Sequence, residues 1–174
     1  NIYGSIIQDL YRRNAGLVVF NILTPDRDRM GRDQSYVEAL RRNPTILPAL
    51  GALQTRNQPK NPGSVVIGPY KNQIVEYPGI IANIPSVENA AAGVGIVNTF
   101  PEVDGVVRRM PLLVASNGKL YPSLAMETLR VAGADTTFQV KINENGVEKM
   151  RIPKFGAIST DSLSRIWIDW SLTP

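Results

Sequence analysis

The sharpest chemical arrangement in the chain is an acidic turn followed by two arginines. Asp104 lies in the run Pro101-Glu102-Val103-Asp104-Gly105, with Arg108 and Arg109 just downstream. Adjacent residues of an extended chain point to opposite faces, so only one of these guanidiniums can return to Asp104. An ion pair bracing the turn is one outcome. Capture of an anion by the guanidinium fork is the other, and it makes Asp104 and Arg108 candidate ligand-binding residues.

The loop TPDRDRMGRD, residues 24–33, is a second place to look for chemistry. Asp26 and Asp28 followed by Gly31 imitate the opening of an EF-hand calcium loop. Met30, however, takes a ligand position, and Val37 stands where the bidentate glutamate belongs. The expectation is a solvated loop without metal, whose Asp33 caps the next helix. Further on, Tyr70, Lys71, Gln73, Glu76 and Tyr77 occupy a long stretch punctuated by Pro69, Pro78, Gly79 and Pro85. Such loops often carry binding function, and a packed connector is the alternative. Tyr70, Tyr77 and the later Tyr121 complete the ligand-binding candidates, although Tyr121, Trp167 and Trp170 also read as core or contact aromatics.

What the chain lacks narrows its chemistry. It contains neither histidine nor cysteine. That removes disulfides, Ser-His and Cys-His nucleophiles, and thiolate or imidazole metal sites. The GxGxxG pattern fails after Gly93 and Gly95, and GxxxxGK[ST] is absent, so neither familiar phosphate loop is present. The expectation is a domain that is not an enzyme and uses no cofactor. A hydrolase or transferase of α/β type, working with carboxylates alone, is the less favoured alternative. Nineteen basic and fifteen acidic residues give a net charge of +4, and no Lys/Arg run is dense enough for a nucleic-acid arm.

These residues need a scaffold, and 174 residues suit one domain with its own core. Tyr3, Ile6, Ile7, Leu10 and Tyr11 form a helical stripe expected to pack on a sheet. Leu17 to Ile22 reads as a strand covered on both faces. Tyr36, Val37 and Leu40 mark a helix over residues 33–42. Thr45 to Leu53 is a strand that Pro48 confines to an edge or a bulge. After a loop at 54–63, Val65 to Gly68 is short and apolar. Phe138, Val140 and Ile142 alternate up to Asn145-Gly146, and Val147 to Ile152 returns as a hairpin partner. Ala157 to Ser162 reads as a turn, with a last strand around Ile166, Ile168 and Trp170. No run of about eighteen apolar residues crosses a bilayer, and no signal-peptide pattern opens the chain. The fold class is α/β: a mixed sheet with helices on both faces.

The centre of the chain, Ser86 to Gly133, is the most connected stretch. Ser86 is an expected N-cap with Glu88 in the first turn and Gly93 as the stop. Gly95 to Thr99 and Val106 to Val114 read as a hairpin around Asp104-Gly105. A second reversal at Ser116-Asn117-Gly118 leads to Pro122 in the first turn of a helix carrying Leu124, Ala125, Thr128, Leu129 and Ala132.

This stretch closely resembles the second family of CHASE domains (CHASE2), extracellular sensing modules of cyclase and histidine-kinase receptors. The likeness rests on Asn98, Pro101, Asp104, Gly105, Val107, Arg108, Arg109 and Pro111, followed by Tyr121, Pro122, Ser123 and Leu124. Asn21 stands where that family commonly carries an aspartate. The resemblance implies an extracytoplasmic sensor, excised from a longer membrane receptor with flanking membrane helices, spanning residues 1–174 as one domain. It implies an unidentified small-molecule or ionic signal, a homodimer, and an output such as a nucleotide cyclase, histidine kinase or diguanylate cyclase. A constitutive dimerisation module without a small ligand is the alternative within the same frame.

Overall fold

The computed structural model describes residues 2–68 and 74–171. Along the chain these form α1 (Ile2–Arg12), β1 (Val18–Val19), α2 (Asp33–Arg42), β2 (Thr45–Ala52), β3 (Ser64–Ile67) and β4 (Gly79–Ile81). Then come α3 (Pro85–Ala90), β5 (Gly93–Ile96), β6 (Arg109–Pro111), β7 (Leu113–Ser116), β8 (Lys119–Pro122) and α4 (Leu124–Ala132). The chain closes with β9 (Phe138–Asn143), β10 (Gly146–Ile152), β11 (Gly156–Ile158) and β12 (Arg165–Trp167).

The first sheet is mixed and carries helices on both faces, as expected. β1 and β5 run parallel to β2, in register Val18↔Thr45 and Ile46↔Gly93, while β4 pairs with β2 antiparallel. The alternation Gly93-Val94-Gly95-Ile96 sets the layers. Val94 and Ile96 join Leu47 and Ala49 in a core with Val37, Leu40 and Val87 of α2 and α3. On the other face, a Cβ at Gly95 would stand 2.4 Å from Leu124 Cα, so only glycine lets α4 approach this closely.

Several local expectations are corrected. β2 is central, and Pro48 sits in it without leaving an empty ladder position. Ile46 O accepts from Phe20 N, so even-numbered residues face β1, which ends before β4 begins at Leu50. Pro48 faces that gap, where the Asn83 amide donates to its carbonyl at 3.0 Å. β1 is short and lies at the edge, with Val19 half-exposed. α1 packs on α2 as well as on the first sheet's core: a Cβ at Gly4 would meet Ser35 O at 3.0 Å and Ala39 Cβ at 3.4 Å, while Ile7 is buried with Val18 and Leu47.

β5 and β6 do not form a hairpin. β5 is committed to β2, and β6 pairs with β12 in register Met110↔Ile166. The turn between them closes locally, Glu102 N donating to Val106 O at 2.9 Å. α3 opens at Pro85, with Ile84 rather than Ser86 at the N-cap, and Gly93 begins β5 instead of stopping the helix. Pro122 ends β8, and Ser123 caps α4, its Oγ accepting from Met126 N at 3.3 Å.

The second sheet, β11-β10-β9-β3, buries one face. Phe138, Val140 and Ile142 point inward and Lys141 outward, confirming the alternation. Val147 and Met150 both point inward despite an odd spacing because the β9–β10 register slips between Val147 and Lys149. Ala157 and Ile158, expected in a turn, belong instead to β11, which pairs with β10. β3 joins β9 in parallel and leaves Val65, Val66 and Ile67 partly exposed.

The β7–β8 hairpin separates the two cores. Val114 and Tyr121 face the first, Leu113, Ala115 and Leu120 the second. Its turn holds Asn117 at φ 49° and Gly118 at φ 71°, the left-handed pair of a tight two-residue reversal.

Candidate functional site

A crevice forms where β1 gives out. The chain leaves Val19 and does not enter α2 until Asp33, and one side of the intervening loop is fastened to the segments around Asn83 and Asn57. Asn83 Oδ1 accepts from Thr24 N at 2.9 Å and from Thr24 Oγ1 at 3.0 Å. Ile84 N donates to Thr24 O at 2.9 Å, Asn57 Nδ2 donates to Pro25 O at 3.1 Å, and Arg56 pairs with Asp26. On the opposite side stand the first turn of α1 and the first turns of α2. They enclose a cavity of about 470 Å³, within the usual range of ligand sites. Its place beyond the carboxyl end of a parallel strand is where open α/β sheets commonly hold ligands.

Tyr36 forms part of the wall. Its side chain is 1% exposed, and its hydroxyl is buried with no hydrogen-bond partner among the described residues. The ring is held edge-on by Tyr3, with centroids 5.8 Å apart, and lies 6.5 Å from Phe20. Burial, with a smaller contribution from Tyr3, pushes the Tyr36 phenol well above its ordinary value. Buried hydroxyls are nearly always bonded, so this group is unusual in a native interior.

Charges of both signs line the same space. Asp33 does not cap α2, as its position suggested. It occupies the first helical turn and accepts from Asp28 N at 3.1 Å and 3.2 Å, folding the loop back on itself. Asp28 Oδ1 accepts from Met30 N at 3.0 Å. Arg32 is the N-cap residue and makes no side-chain cap. Among the described residues, neither Asp28 nor Asp33 is ion-paired with a cation, and Arg32 has no paired carboxylate. Nor, among them, is any group of three or more acidic side chains placed to hold a metal ion.

Behind the crevice lies a buried polar node. Glu88, 2% exposed, accepts from Lys60 N at 2.6 Å and from the Asn83 side-chain amide at 3.0 Å. Burial raises its carboxyl pKa, and the bonds from Lys60 and Asn83 oppose that rise.

The residues singled out from sequence lie elsewhere. Arg108 makes a bidentate pair with Asp104 at 2.9 Å and 2.6 Å, and Asp104 Oδ1 also accepts from Val106 N at 3.1 Å. These bonds, Arg108 first, hold the Asp104 carboxyl down to about 2. Arg109 points the other way, its Nε donating to Glu102 at 2.7 Å and its Cζ lying 5.2 Å from the centre of the Trp167 ring. Asp161 joins Arg109 at 3.5 Å and Arg165 at 2.8 Å, tying β6 to β12. Sequence reading missed this second cluster because Asp161 lies far along the chain from Arg109.

Tyr77 stacks on Phe100 with centroids 6.2 Å apart and covers Gly51, where a Cβ would stand 2.4 Å from its ring. Tyr121 is buried in the first core, where burial raises its phenol pKa and a hydrogen bond with Asn61 opposes that rise. Tyr70 lies outside the described residues. The 470 Å³ crevice is lined by none of Tyr77, Asp104, Arg108 and Tyr121. Sequence reading placed Tyr36 in a core stripe and left the 24–33 loop to solvent; a tyrosine at a fully buried helical position was the one available signal.

Parallel strands between helix layers, opening at their carboxyl ends onto a ligand-sized crevice, define an α/β domain with a candidate recognition site. The chain belongs to the CHASE2 family: the model of the CHASE2 domain matches residues 1–173. CHASE2 domains are extracytoplasmic sensory modules of signalling receptors and are not themselves catalytic. Comparison with curated proteins and with solved structures gives no match.

Proposed function

We propose that this domain is the sensory part of a transmembrane receptor, placed outside the cytoplasm, and that it relays a signal to a cytoplasmic nucleotide cyclase, histidine kinase or diguanylate cyclase. The family match over residues 1–173 carries this reading. Among the described residues no helix is long and apolar enough to cross a membrane, so the membrane helices of the proposed receptor lie outside them. A signal shifts such a receptor only by its difference in affinity for the two states. α1 supports a dimeric arrangement, because Ile2, Ile6 and Leu10 form an exposed ridge along it.

Reporter fusions placed within this segment of the full-length protein test the reading. Activity of an export-dependent reporter is expected, and activity of a cytoplasm-dependent one would overturn it.

A further inference from the structure

We propose that the crevice between α1 and the 24–33 loop binds a small zwitterion of amino-acid type with an apolar side chain. Its ammonium would lie toward Asp28 and Asp33 within reach of Tyr36 Oη, its carboxylate toward Arg32, and its side chain against Leu23 and Met30. This deepens the sensory reading and rests on it.

Three observations converge. The Tyr36 hydroxyl is fully buried and unbonded, although Tyr3 and Phe20 already fix the ring. Phenylalanine would pack as well, so the hydroxyl has no structural task among the described residues; a bound polar group would supply the bond it lacks. The charges, secondly, are divided. Asp26 is neutralised by Arg56, whereas among the described residues Asp28 and Asp33 have no cationic partner and Arg32 no carboxylate partner. One molecule carrying both signs satisfies them together, while a simple anion would meet the two carboxylates and a simple cation would meet Arg32. Thirdly, the acidic groups are not arranged for a metal ion, and the apolar walls favour an organic body. A volume of about 470 Å³ accommodates a molecule of this size.

Isothermal titration of the 174-residue chain with L-leucine, L-methionine and L-phenylalanine tests this. At least one is expected to bind. Its analogue lacking the amine and its analogue lacking the carboxylate should each bind at least about tenfold more weakly. Tyr36→Phe is expected to weaken binding about tenfold while leaving the melting temperature unchanged or higher, which separates loss of the site from loss of the fold. Arg32→Gln should weaken the amino acid but not the amine lacking its carboxylate. No binding of any of the three at about 10 mM, or equal affinity in wild type and Tyr36→Phe, overturns the site. Signalling by the full-length receptor that persists undiminished in Tyr36→Phe and Arg32→Gln would also overturn it and leave the sensory reading standing. A cytoplasmic location would instead defeat the sensory reading, whatever the titration shows.

Discussion

Asn83 and Glu88 are bonded side chain to side chain at 3.0 Å inside the first core, and through Asn83 the bond reaches the crevice loop at Thr24. Asn83 is fully buried and spends its amide on Pro48 O and Glu88, and its carbonyl on Thr24. Asn83→Ala would therefore strand a buried carboxylate and two loop donors. A loss of about 2–4 kcal/mol in urea unfolding is expected; a loss below about 0.5 kcal/mol would show that water replaces the amide.

Glu88 also imposes a pH dependence of definite sign. Its folded pKa lies above the ordinary 4.5, so in the window above that value the folded state holds the proton that the unfolded chain has released. This contribution lowers stability as pH rises from about 4.5 through the raised value. Glu88→Gln should remove that slope. It should also destabilise the protein at low pH, because one end of the new amide must face donors from Lys60 or Asn83. An unchanged slope in the variant would assign it to another group.

For Asp104 the sign is opposite. Its folded pKa is about 2 against an ordinary 3.8, so its stabilising effect is present above 3.8 and disappears as pH falls through 2. The difference in melting temperature between wild type and Asp104→Asn should be modest at pH 7 and close to zero below pH 2. Arg108→Glu should lower the neutral-pH melting temperature at least as much, and a variant equal to wild type would remove the brace.

Gly93 and Gly95 make a graded pair. A Cβ on Gly93 would meet the Glu127 side chain at 2.3 Å, one on Gly95 the Leu124 backbone at 2.4 Å. Both alanine variants should destabilise by about 1–3 kcal/mol, Gly95→Ala more, since backbone cannot turn aside as a side chain can. The reverse order in denaturant titrations would mean that the Glu127–Arg130 pair, at 2.7 Å, is the stiffer neighbour.

Pro48→Ala should also destabilise, by about 1–2 kcal/mol, although it restores a donor to a strand. The new N–H would face the gap between β1 and β4, buried and without a strand partner. Greater stability in the variant would show that the gap admits a bond.

The parts legible in the sequence were those written in short-range pattern. Alternation and Asn145-Gly146 marked the β9–β10 hairpin, Asn117-Gly118 marked the β7–β8 reversal, and the Tyr36, Val37, Leu40 stripe marked α2. Facing rules also limited Asp104 to one of the two arginines, and the structure makes it Arg108. What failed was non-local. An apolar run such as Gly95–Ile96 fits a hairpin and a buried parallel strand equally well, and only β2, forty-odd residues earlier, decides between them. Pro48 looked like an edge residue because a missing donor says nothing about which side of the strand lacks a neighbour. Tyr36 was placed correctly in the interior, but periodicity reads the ring and is blind to the hydroxyl, so the crevice stayed hidden.

The hairpin that walls off one core from the other has a thermodynamic consequence. Successive residues of β7 belong to different cores, and α4 lies on Gly93 and Gly95 while sending Met126 into the second. Neither half can melt without stripping one face of the shared elements, so the halves are energetically coupled rather than independent. Heating should yield a single cooperative transition whose van't Hoff and calorimetric enthalpies agree. Any perturbation of the crevice side is then felt across the whole molecule as a change in one global equilibrium.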